Sequence, residues 1–387
     1  MLTQLINGKI LTPQGWLKDG SVLISDGKIL EVNNSDLAVI GATVIDVKGM
    51  TIVPGYVAMH VYGANGREYT EASEEAFDIV TEEHLKHGAT SILPTIYSST
   101  FENLYKAAGI CEQKMKESPV YQGLHIEGPY LNPKMAGTHW ENALKEPDVE
   151  EYVPLLENTH CIKRWDISPE LPGALDFAKY VSGKGVLTAI SHTEAEYEDI
   201  TAAYEAGFTH AANFYNAMPG FHKRREYKYE GTVESVYLID NMTVEVIADG
   251  HHLPATILKL VYKLKGVEKT ALVTSAVKYT NYPYEIDDDR FIVEDGVCKL
   301  YDHSSLAGSL ATMDVLVQTM VKKAGIPLED AVRMASETPA RLLKIDDHKG
   351  SLQKGKDADI VILDKDLNVR CVFSNGKIVE GTNTMIH

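Results

Sequence analysis

Chemistry-bearing residues placed at the ends of short apolar runs constrain this chain more than any other feature. Gly123-Leu124-His125-Ile126-Glu127-Gly128-Pro129 carries an apolar stretch straight into a carboxylate and then into a turn. The device recurs: Leu187 to Ile190 leads into Ser191-His192, Thr243 to Ala248 into Asp249-Gly250-His251-His252, and Thr51 to Met59 into His60. A buried strand that stops at a charged residue delivers it to the rim of a sheet, where parallel α/β folds keep their chemistry. Taken alone, Glu127 reads as a solvated turn residue. Repeated at several strand ends, such residues point to one site.

Short apolar runs near residues 51–57, 91–94, 121–126, 162–167, 187–191, 209–214, 243–248 and 271–274 alternate with segments of helical period. The helical segments include Glu74 to His87, Phe101 to Lys116, Leu171 to Val181, Tyr197 to Ala206 and Ala255 to Leu264. Eight such units predict a closed parallel (β/α)8 barrel of the TIM type, which the 387 residues are long enough to build. Both ends have a different texture. Asn7-Gly8, Asp26-Gly27 and Asn375-Gly376, each followed by Lys, are short-range hairpin signals. The sequence therefore predicts a discontinuous β domain from residues 1–50 and 346–387, and a barrel domain over 51–345. Leu310 to Lys323, Leu328 to Ser336 and Pro339 to Leu343 read as further helices before the chain returns to the β domain.

Charge and cysteine content narrow the function classes. Lys plus Arg number 37 against 55 Asp plus Glu, a net charge of −18, which argues against nucleic acid and anionic membrane as partners. Cys111, Cys161, Cys298 and Cys371 are scattered without CxxC spacing, so they read as buried reduced thiols. No stretch reaches the roughly 18 apolar residues of a membrane span, and no leader pattern opens the chain. The expectation is a soluble cytoplasmic protein.

Pro54-Gly55-Tyr56-Val57-Ala58-Met59-His60, His125-Ile126-Glu127-Gly128-Pro129-Tyr130, Ser191-His192, Asn213-Phe214-Tyr215-Asn216-Ala217-Met218-Pro219, Ala248-Asp249-Gly250-His251-His252, Val273-Thr274-Ser275-Ala276 and Leu306-Ala307-Gly308-Ser309 together resemble the N-acetylglucosamine-6-phosphate deacetylases, a branch of the amidohydrolase superfamily. The likeness runs along essentially the whole chain. It implies a barrel of the metal-dependent hydrolase type with a small β-sandwich built from both termini. The implied assembly is a homodimer, and the implied reaction is hydrolysis of an N-acetyl amino-sugar phosphate to acetate and glucosamine 6-phosphate.

Amide hydrolysis requires a metal to acidify a bound water, a carboxylate to shuttle protons and a donor for the developing oxyanion. By resemblance Glu127 and His192 are metal ligands, but relatives carry histidine where this chain has Asn213. An amide oxygen is a weaker zinc ligand than imidazole. His210 lies three positions earlier and is expected on the opposite face of its strand. His60 stands where superfamily members often begin a His-x-His pair, here broken by Tyr62. One divalent metal, zinc by resemblance, is therefore expected at reduced affinity, or none. The catalytic aspartate of the family is Ser275 here, and loss of a general base costs on the order of 10²–10⁴ in rate. Glu285 to Asp289 is an acidic run within reach of the same loop.

The sugar-phosphate residues are better kept. His252 matches the substrate-contacting histidine, Asn216 and Ala217 the phosphate-binding pair, and Gly137-Thr138-His139 a loop that touches the sugar. His222-Lys223-Arg224-Arg225 is a basic cluster, and by resemblance Arg225 reaches across the dimer interface to the phosphate. Two readings stay open: a working deacetylase, or a degenerate amino-sugar-phosphate binder acting as a sensor or partner.

Overall fold

A computed structural model of the chain describes residues 2–35, 39–282 and 288–384. Eight parallel strands form the barrel: Tyr56–Val61, Ala89–Tyr97, Leu124–Glu127, Ile162–Ile167, Leu187–Ile190, Phe208–Ala211, Thr243–Ile247 and Thr270–Val273. Main-chain bonds across the mouth join the first and last: Ser275 N–H donates to the His60 carbonyl at 3.1 Å and Tyr62 N–H to the Ala276 carbonyl at 2.9 Å. Those two bonds set Tyr62 beside Ser275.

Alternation along each strand sorts its side chains. Ile126 and Trp165 face outward into the helical layer, where Trp165 stacks on Tyr130 at 6.1 Å and meets Phe177 edge-on at 5.1 Å. His125 and Glu127, and likewise Arg164 and Asp166, face inward at the alternate positions. Parallel strands are buried on both faces, so inward charges have no water to fall back on and must pair with one another.

The covering helices follow their capping signals. Glu74–Lys86 begins at Ser73, whose hydroxyl accepts from the Ala76 N–H, and Phe101–Glu117 begins at Thr100, which accepts from Asn103 N–H. Three antiparallel strands, Phe291–Glu294, Val297–Leu300 and Leu306–Ser309, follow the eighth barrel strand and wall one side of its mouth.

Strands from both termini build one eight-stranded sheet that wraps a separate small core containing Leu5, Ile24, Ile52, Ile360 and Phe373, giving the small β-sandwich domain. The run expected as one strand near 51–57 is two. Thr51–Pro54 pairs with Ile360–Leu363 and with Lys9 and Ile10 in the terminal sheet, and Tyr56–Val61 starts the barrel. Asp26-Gly27 and Asn375-Gly376 form turns between paired strands as expected. Asn7-Gly8 does not: Leu2–Thr12 is one strand, and Gly8 is a register shift within it. There the strand passes from pairing with Thr43–Asp46 to pairing with Thr51 and Ile52. A Cβ on Gly8 would lie 2.4 Å from Ile52 Cδ1, so the close crossing excludes a side chain.

Candidate active site

The barrel mouth holds a cavity of about 240 Å³, lined among others by Tyr62, His139, His192, Asn213, Asn216, Ala217, His252 and Ser275. Three strand ends deliver their residues by the same device. His192, Asn213 and Ser275 have φ of 47°, 45° and 46°, each two residues past the end of a strand, so the chain turns sharply and aims the side chain at the mouth. Such left-handed backbone is costly for these residues and clusters at functional sites.

Glu127 lies fully buried at the centre of the floor. The Tyr62 hydroxyl donates to its Oε2 at 2.5 Å; Ser191 Oγ and Asn213 Nδ2 approach Oε1 at 3.4 Å each. His192 Nε2 stands 3.6 Å from Oε1, and His139 Nε2 stands 3.6 Å from Oε2. Burial opposes ionisation of Glu127, but the His60 cation beside it holds its carboxyl well below the usual range.

Asn213 does not present its oxygen to that centre. Its Oδ1 accepts from Ser275 Oγ at 3.0 Å while its Nδ2 faces Glu127. The opposite turn would set an amide oxygen against a carboxylate. His60 is also engaged elsewhere, with Nδ1 donating to Glu245 at 2.6 Å and Nε2 to the Tyr62 oxygen at 2.7 Å. Burial disfavours a charged His60 ring, yet Glu245 and Glu127 raise its pKa to about 9. His210 is turned inward too, 3.3 Å from Glu245 Oε2. The expected opposite orientation fails because its strand ends at Ala211, and alternation does not extend through the turn to Asn213.

Beneath the floor runs an ion network that sequence reading passed over. Arg164 donates its Nε to Asp166 at 2.8 Å, and its Nη2 to Asp166 at 2.5 Å and to Glu245 at 2.9 Å, with a further bond from Nη1 to Glu245. His125 Nε2 lies 3.0 Å from Asp166. Its signal was present as charges at alternate positions of otherwise apolar strands, in Ile162-Lys163-Arg164-Trp165-Asp166-Ile167 and at Glu245. Burial lowers the pKa of His125 to about 4 against the pull of Asp166, and that of His139 to about 3, helped by His192.

The donor set at the floor fits a divalent metal. Glu127, His139 and His192 have ligand atoms all within 4.8 Å of one another. His192 Nδ1 donates to the Met135 carbonyl at 2.7 Å, which leaves its Nε2 lone pair directed at the centre. A deeper group, His60, His125 and Asp166, is tied up by the ion network.

On the opposite wall, His252 is held by Asp249, whose Oδ2 accepts from its Nδ1 at 2.7 Å. Burial would raise the pKa of Asp249, but His252 and the N–H groups of His251 and His252 hold it at about 2. Among the described residues lining the cavity the carboxylate is Glu68, which receives the Tyr97 hydroxyl at 2.9 Å. Burial pushes its pKa up, against the opposing effects of Tyr97 and Lys278. Lys278, Arg290 and Trp140 share that wall, with the Arg290 guanidinium 3.7 Å above the Trp140 ring. Glu68, Tyr97, Trp140 and Arg290 were not picked out from sequence.

The basic cluster is not brought to the cavity. His222–Arg224 forms a hairpin with Tyr227–Tyr229, Arg225 sits in its turn, and Arg224 pairs with Glu196. Of the acidic run, residues 285–287 lie outside the described residues, and Asp288 is paired with Arg290 at 2.7 Å.

The Amidohydrolase family model matches residues 51–379. The chain belongs to the amidohydrolase family. Its relatives in that family include deacetylases of N-acetylglucosamine 6-phosphate and of N-acetylgalactosamine 6-phosphate. The N-acetylglucosamine-6-phosphate deacetylase of Haemophilus influenzae is 31% identical, over 96% of this chain and 98% of its own. The structure of the Pasteurella multocida enzyme of that name superposes with a TM-score of 0.92 at 27% identity, covering 98% of this chain and 99% of that one. A point mutant of the Mycobacterium smegmatis enzyme, solved in complex with N-acetyl-D-glucosamine-6-phosphate, gives a TM-score of 0.90 at 28% identity, covering 98% and 99%. This amidohydrolase thus resembles deacetylases in fold and length, while its site carries Asn213 and Ser275 at the two positions singled out above. No helix among its described residues is long and apolar enough to cross a membrane. All four cysteines are buried and free.

Proposed function

We propose that this protein binds and deacetylates N-acetylglucosamine 6-phosphate or a close amino-sugar phosphate, in the cytoplasm and as a homodimer. The observation carrying the proposal is the convergence of His192, Asn216, Ala217, His252 and His139 on one cavity of about 240 Å³, with Glu127 buried 3.6 Å from both His192 and His139. Zinc at Glu127 and His192 would lower the pKa of a water and polarise the amide carbonyl. The chain's own residues do the rest. Tyr62 fixes the Glu127 carboxylate, Asp249 fixes the His252 ring so that Nε2 faces the ligand, and Asn216 and Ala217 receive the phosphate end. Arg225, exposed on its hairpin, is the residue proposed to reach the phosphate of a second protomer's ligand.

One observation favours the second reading, binding without turnover. Ser275 spends its hydroxyl on Asn213 and has no carboxylate to offer a proton shuttle. Acetate release from N-acetylglucosamine 6-phosphate decides between them. Turnover that collapses about 100-fold in Glu68→Gln would make Glu68 the proton acceptor. A ligand-induced rise in Tm with no acetate, and acetate gained in Ser275→Asp, would establish a binder. No Tm shift at millimolar ligand defeats both readings, and a monomer by light scattering removes the role of Arg225.

A further inference from the structure

We infer that the third protein ligand of the metal site is His139, supplied by a loop, in place of the histidine that Asn213 has replaced at the strand end. This rests on the proposal that the site takes a divalent metal, and it specifies how. The loop from Asn132 to His139 is anchored by the Asn132 N–H on Ser168 Oγ at 2.7 Å, and the same Ser168 hydroxyl bonds the carbonyl of His192 at 2.6 Å. It presents the Met135 carbonyl to His192 Nδ1, and four residues later places His139 over the same centre.

The two imidazoles meet edge-to-face with centroids 4.5 Å apart, and both Nε2 atoms stand 3.6 Å from Glu127, one from each carboxylate oxygen. Atoms about 2.0–2.1 Å from a tetrahedral ion are about 3.3–3.5 Å from each other, close to the 3.6 Å at which each imidazole nitrogen stands from the carboxylate. Gly137 permits the turn that carries the loop to His192: it has φ of 61°, where a side chain would be strained. His139 Nδ1 is bonded to Ser98 Oγ at 2.6 Å, the outer hydrogen bond that holds a ligating imidazole in place. Two imidazoles and one carboxylate select a borderline cation of the zinc type over magnesium or calcium. Asn213 is then no ligand at all; it ties Ser275 to Glu127.

X-ray absorption of the zinc-loaded protein tests this without any variant. It should show two imidazoles per metal, whereas ligation by Glu127, His192 and Asn213 predicts one. In chelator competition with zinc alone, His139→Gln should weaken binding at least about 100-fold and abolish the visible bands of the cobalt-substituted protein, while Asn213→Ala retains them. One imidazole, unaltered zinc affinity in His139→Gln, or wild type that holds no zinc overturns the inference. Acetate release is a separate readout: zinc bound through His139 without turnover defeats the proposed reaction and leaves this assignment standing.

Discussion

The cavity floor and the ion network beneath it are built from the same residue types a few ångströms apart, yet they are finished differently. In the network each charge is answered: Arg164 lies between Asp166 and Glu245, and Glu245 also takes His60 at 2.6 Å. On the floor, Glu127 has its nearest cation, His60, at 3.7 Å and is otherwise surrounded by neutral donors and two imidazole nitrogens. The three buried carboxylates Glu127, Asp166 and Glu245 face two buried cations, Arg164 and His60, so the cluster carries a negative excess on the cavity side. A saturated network rigidifies a barrel; an unsaturated one invites a cation.

The largest effect should come from the network. Arg164→Leu strands two buried carboxylates and should cost about 3–5 kcal/mol in urea unfolding. A loss below about 1 kcal/mol would mean that the network is not the scaffold described. Next, Glu245→Gln should cost about 2–3 kcal/mol and Glu127→Gln clearly less in metal-free protein, because Glu245 loses two close cationic partners and Glu127 one distant partner. The reverse order would erase the contrast between the regions.

A paired histidine away from the cavity calibrates the comparison. Burial disfavours the charged form of His87, but Asp314 at 3.2 Å and Glu83 at 3.3 Å raise its pKa to about 9. The folded value exceeds the unfolded one, so its contribution is complete below about pH 6.5 and disappears as pH rises through about 9. His87→Gln should flatten the stability profile across that window by on the order of 1–2 kcal/mol, and an unchanged profile would show the pairs to be too screened to matter. The smallest effect on stability belongs to Arg225→Ala, within about 0.5 kcal/mol of wild type. It should nevertheless abolish the Tm shift given by N-acetylglucosamine 6-phosphate, and retention of that shift would place the phosphate elsewhere.

Sequence by itself determined the eight β/α units, the participation of both termini in a small β domain, and the delivery of Glu127, His192, Ser275 and His252 to one mouth. These follow from period-2 and period-3.6 patterning and from strands that end in polar residues, all local signals. Through its resemblance to the deacetylases it also set Asn213 and Ser275 apart, where a ligand histidine and a catalytic aspartate are expected. Tertiary structure decided what local pattern does not encode. That Asn7-Gly8 is a bulge depended on a second pairing partner 35 or more residues away. The turn of His210 toward Glu245 depended on where its strand stops. The arrival of His139 beside Glu127 and His192 depended on a loop docking through Ser168. An imidazole supplied from a loop has no fixed spacing from the strand-end ligands it joins, because the distance along the chain to a common point in space is set by packing and not by the backbone's own period.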